Sequence, residues 1–121
     1  MATEIKVPVV AAKGGSFLIE ERTPEEIFTP EDFTEEQVMI GQTADDFMLK
    51  ELVPRLPDLL KLDYELSRGL LRKAGELGLL GVEIPEEYGG LGLDKVSGCL
   101  VAEKAGRDGS FATTFAVQVG I

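Results

Sequence analysis

Ile40, Ala44, Met48 and Leu52 recur every four residues, with Phe47 beside them. That spacing puts the side chains on one face of an α-helix, and an apolar face must be covered by another element. The start of this helix is also marked. Thr34-Glu35-Glu36-Gln37 has the form of a capping box, in which a hydroxyl and an amide side chain satisfy amides that the first turn leaves unpaired. Pro54 and Pro57 are expected to close the helix, because proline lacks the amide that the next turn needs. The same period predicts a second helix from about Asp63 to Leu77, capped by Asp63 and ended by Gly78. Its inward stripe reads Leu62, Leu66, Leu70, Ala74 and Leu77. A third helix runs from near Asp94 to about Gly106, with Val96 and Leu100 inward and Cys99 as a further candidate. Arg107-Asp108-Gly109 breaks it, and a fourth begins at Ser110. Only Ile5–Val10 hints at alternation, so the fold class is all-α, a helical bundle.

Composition excludes several functions. The 121 residues suit one domain rather than two, and 44% of them are hydrophobic, enough for a core. A net charge of −10 argues against nucleic acid and against anionic lipid surfaces, both of which need clustered Lys and Arg. The absence of His removes Ser-His-Asp triads, Cys-His pairs and His-based metal sites. Cys99 has no partner for an intrachain disulfide, which fits a reducing compartment, and its apolar neighbours predict an inert buried thiol. Met1–Lys6 lacks the basic-then-apolar pattern of a leader, and no apolar run reaches the roughly 18–20 residues of a membrane span. A cytoplasmic setting is expected.

Charge divides the chain. Residues 1–36 hold nine acids against three bases, so residues 1–33 read as an irregular acidic arm ahead of a helical domain at 34–121. Within the arm, Thr23-Pro24-Glu25-Glu26 and Thr29-Pro30-Glu31-Asp32 share one pattern: a capping Thr, a Pro suited to the first helical position, then acids that favour the helix start. Each predicts a short helical turn. Gly14-Gly15-Ser16 predicts a flexible joint, and Phe17-Leu18-Ile19 an apolar patch that docks on something.

No catalytic constellation stands out. Gly89-Gly90-Leu91-Gly92 precedes a helix, but the G-x-G-x-x-G spacing fails at Lys95 and Asp94 would repel a phosphate, so the loop reads as a structural turn. Glu103 is the best candidate for a partly buried acid, yet it also forms an i,i+4 pair with Arg107, which predicts a solvated surface ion pair. Ser110–Ile121 carries no charge and is apolar nearly all round, so the polypeptide is expected to stop within a buried element and to be a fragment.

Leu77-Gly78-Leu79-Leu80-Gly81-Val82-Glu83-Ile84-Pro85-Glu86-Glu87-Tyr88-Gly89-Gly90-Leu91-Gly92 resembles the acyl-CoA dehydrogenase family, and Pro85–Gly92 is the most specific part. The following Ala102-Glu103-Lys104-Ala105 and Arg107-Asp108-Gly109-Ser110 agree with that family's N-terminal helical domain, and the likeness covers about residues 34–121. The arm is similar to the extra N-terminal segment of bacterial relatives of the very-long-chain branch. The resemblance implies a fragment of an FAD-dependent enzyme that performs α,β-dehydrogenation of acyl-CoA thioesters in fatty acid β-oxidation. It implies an electron-transfer flavoprotein or similar acceptor and a homo-oligomer at full length. It also implies that FAD and the catalytic glutamate belong to parts outside residues 1–121, so no residue here is catalytic, none binds a metal, and this piece alone holds no FAD. The expected share of this domain is a wall of the acyl-chain cavity. Phe111, Phe115 and Val119, at i, i+4 and i+8, are the expected lining, with Phe115 limiting tail length. A free-standing acidic helical interaction module, without catalysis, is the alternative; acyl-CoA oxidases share the architecture.

Overall fold

In a computed structural model, which describes residues 14–119, the capping box at Thr34 forms as its residues dictate. The Gln37 amide donates to Thr34 Oγ1 at 3.2 Å, and the Thr34 amide donates to Gln37 Oε1 at 2.9 Å. Helix α1 follows, Glu35–Phe47. The prolines do not end it. The chain widens into a π-type turn at Met48–Leu52, tightens into a 3-10 turn at Val53–Arg55 and continues as the short α2, Leu56–Leu59. Each proline sits near the start of a short segment, where a missing amide has no helical partner to lose. The change of pitch therefore absorbs both prolines, and the apolar stripe runs on through Met48 and Leu52 into the core.

Helix α3 spans Tyr64–Glu76, and the Leu66 amide donates to the Asp63 cap at 2.9 Å. Its buried stripe is shorter than expected. Leu70 and Ala74 are buried and Leu66 packs at the edge, but Leu62 and Leu77 are exposed because they lie beyond the helix ends. Leu62 takes a left-handed φ of 62° that turns it off the stripe. At the other end the Gly78 amide bonds Gly75 O, and the Leu79 amide bonds Ala74 O, around a φ of 79° at Gly78. This is a Schellman closure, and it drives Leu79 into the core.

Helix α4 spans Lys95–Ala105, and α5 spans Gly109–Val119. Three pairings show that α1 and α4 run in the same direction. Gln37 Nε2 donates to Asp94 Oδ2 at 2.8 Å, Gly41 faces Leu100, and Asp45 pairs with Arg107. The inward line of α4 is Ser97, Val101 and Ala105, flanked by half-buried Val96 and Leu100; Cys99 is exposed. The expectation of a buried thiol is thus overturned. Small side chains face α1, and Ser97 tolerates burial because its hydroxyl bonds Asp94 Oδ1 at 2.8 Å. Helix α5 also differs from expectation. Phe111 and Phe115 are buried, but Val117 is 60% exposed, so one face packs and the other is open. The core gathers α1 and its continuation, α3, Leu79, Val82, α4 and α5.

The described residues contain no strand; Ile5–Val10 lies outside them. The chain clusters into two units, Met1–Phe33 and Thr34–Ile121. In the first, residues 14–33 form three 3-10 turns, and Thr23 and Thr29 cap two of them as their sequence predicts. The third, Gly14–Leu18, occupies the place of the expected flexible joint, and its Phe17, Leu18 and Ile19 are exposed.

Candidate functional site

The Leu80–Asp94 segment closes on itself through its backbone. The amides of Gly90, Leu91, Gly92 and Leu93 donate to carbonyls of Pro85, Gly81, Ile84 and Val82 at 2.8–3.2 Å. A phosphate cradle needs free amides, and these four are taken, so the loop is a structural turn with no fit for a flavin pyrophosphate. Gly90 is required by approach rather than by φ: a Cβ there would collide with the Ile84 backbone. The turn brings Val82 into the core and sets Glu83 against Gly98 of α4, where Lys95 pairs with the carboxylate.

Between α4 and α5 lies a cleft of about 260 Å3. Gly98, Val101, Ala102 and Ala105 form one wall, and Ala112, Phe115, Ala116 and Val119 the other. Val82 and Glu83 complete it, and the exposed Cys99 sits on its rim. Small residues on both helices keep the walls apart without filling the space, and Glu83 supplies the one charge of the lining. Such a surface suits an alkyl chain and offers no proton-transfer group at its centre.

The three expected lining residues separate. Phe115 and Val119 line this cleft. Phe111 does not. It lies behind, its ring centroid 6.1 Å from both Phe47 and Phe115, and borders a more polar hollow of about 290 Å3 near Leu62 and Arg68. Phe111 therefore buttresses Phe115 against α1. The α4 wall was missed from sequence, though Gly98, Ala102 and Ala105 at near-helical spacing carried a signal.

Glu103 is no buried acid. Its side chain is 67% exposed, and its nearest cation is Lys104 at 4.0 Å. The expected Glu103–Arg107 pair does not form, because Arg107 reaches Asp45 on α1 instead. Among the described residues no group of three or more His, Cys, Asp or Glu could hold a metal ion, and no helix is long and apolar enough to cross a membrane.

Residues 34–121 match the family described as acyl-CoA dehydrogenase, N-terminal domain. A probable acyl-CoA dehydrogenase of Bacillus subtilis strain 168 is 51% identical over 109 residues, 90% of this chain and 18% of that one. A second from that strain, the probable acyl-CoA dehydrogenase YngJ, is 36% identical over 91 residues, 74% of this chain and 24% of its own. Among solved structures, an acyl-CoA dehydrogenase complexed with FAD from Bacillus anthracis superposes with a TM-score of 0.84 at 54% identity, covering 92% of this chain and 19% of that one. The chain belongs to the acyl-CoA dehydrogenase family. It spans about a fifth of the length of these relatives.

Proposed function

We propose that the whole protein is an FAD-dependent acyl-CoA dehydrogenase that introduces an α,β double bond into acyl-CoA thioesters during fatty acid β-oxidation. The α4–α5 cleft forms part of the wall around the acyl chain. The observation that carries this reading is the cleft itself, an apolar slot in the domain that matches the family. FAD, with which the Bacillus anthracis enzyme is complexed, would accept the β-hydrogen as hydride; the closed Gly89–Gly92 loop assigns its binding to other parts of the protein. This chain excludes water and orients the tail. Phe115 and Val119 touch the chain, and Phe111 holds Phe115 in place. An electron-transfer flavoprotein or similar acceptor, a homo-oligomeric assembly and a cytoplasmic setting complete the proposal, since acyl-CoA thioesters are made and used inside cells.

The test is anaerobic titration of the full-length, FAD-loaded protein with acyl-CoAs of increasing chain length, read as bleaching of the flavin absorbance. Bleaching is expected. Phe115→Leu, which replaces a ring with a smaller side chain, should raise the long-to-short ratio of kcat/KM about tenfold. No bleaching with any acyl-CoA contradicts the activity and favours the interaction module. Bleaching with an unchanged ratio removes Phe115 from the lining.

A further inference from the structure

The two walls of the cleft are joined by a short turn, Gly106–Asp108, and two adjacent side chains in it reach opposite ways. Asp108 Oδ2 accepts the Phe111 amide at 2.7 Å and so starts α5. Arg107 reaches back to α1, where its Nε donates to Asp45 Oδ1 at 3.0 Å and its Nη2 converges on the same oxygen. The Asp45 side chain is only 21% exposed, and the pair joins residues 62 apart in sequence. At the far end of the parallel α1–α4 contact, Gln37 holds Asp94. Helix α4 is thus pinned to α1 at both ends, whereas α5 begins one residue beyond the Arg107 pin.

We propose that Arg107 is a positioning residue that sets acyl-chain length. Its bond to Asp45 fixes where α5 leaves α4, and hence the depth of the cleft between Ala105 and Phe115. This deepens the acyl-CoA dehydrogenase reading and rests on it. Arg107 lies outside the cleft lining, so its effect passes through the seat of α5. Long acyl chains that fill the cleft sense that seat; short ones that stop before it do not. Because both Arg107 nitrogens converge on one oxygen, a lysine ammonium has the chemistry to take their place.

The experiment compares R107Q and R107K with the unaltered full-length enzyme across an acyl-CoA chain-length series, with FAD content and helicity as folding controls. For R107Q the account expects kcat/KM on the longest substrates to fall about tenfold through KM, kcat to hold, and the shortest substrate to be unchanged. R107K should restore most of the loss. A uniform loss at every length, an unchanged profile, or a lysine variant no better than glutamine overturns the proposal and leaves the activity standing. An unaltered enzyme inactive on every acyl-CoA takes down both readings. Should R107Q not fold, D45N retains an acceptor oxygen without the charge. A smaller loss confined to long chains is then expected, and a uniform one overturns the proposal.

Discussion

Two glycines show how much depends on what a single added carbon would meet. At Gly90 a Cβ would strike the Ile84 backbone, which cannot move without breaking the closed loop. At Gly98 it would strike the end of the Glu83 side chain, which can swing aside. Gly90→Ala should therefore destabilise by about 3 kcal/mol. Gly98→Ala should stay within about 1 kcal/mol of the parent, since alanine also favours the helix. Urea denaturation of both variants checks this, and equal costs would contradict the contact geometry. The importance of Gly90 was invisible in sequence, where the loop showed only as a turn, because the collision is with a residue brought close by backbone pairing. Cys99 erred in the other direction. Its apolar neighbours suggested burial, but α4 turns its smaller side chains toward α1, and Ser97 takes the inward position that a hydropathy pattern would give to Val96 or Leu100.

The helices were largely legible, because caps and spacing are local. Thr34, Asp63 and Asp94 each cap the helix their sequence announces, and Gly78 ends α3. What links one helix to another was not legible. Arg107 forgoes the near Glu103 for the distant Asp45, and the prolines change the pitch rather than stopping the chain. Asp94 combines both roles. It accepts from the Ser97 amide, the Ser97 hydroxyl and the Gln37 amide group of α1, and the first of these does most to hold its carboxyl below the usual carboxylate range. A depressed folded-state pKa adds stability above the unfolded value of about 3.9, and that stability is lost as pH falls through the folded value. Asn caps equally well but does not ionise. Asp94→Asn should therefore be less stable than the parent at pH 6, with the gap closing as the pH is lowered below about 4. Melting temperatures across that range decide it; a gap independent of pH would show that ionised Asp94 adds nothing.

At the scale of the molecule, α1 acts as a rail. Gln37 and Asp45 hold the α4 pair at its two ends, Phe47 supports Phe111, and Phe111 supports Phe115 at the cleft. The α5 wall could be anticipated from Phe115 and Val119, but the opposing wall needed the α4–α5 hairpin to be seen, because its residues are small and singly unremarkable. The account stands on the acyl chain lying in that slot. Its most direct test is photolabelling of the full-length enzyme with an acyl-CoA carrying a diazirine at the end of its chain, followed by peptide mass spectrometry. The account predicts label within residues 98–119, on the cleft faces of α4 and α5. Label confined to peptides elsewhere in the protein, from an analogue that still reduces the flavin, would contradict it.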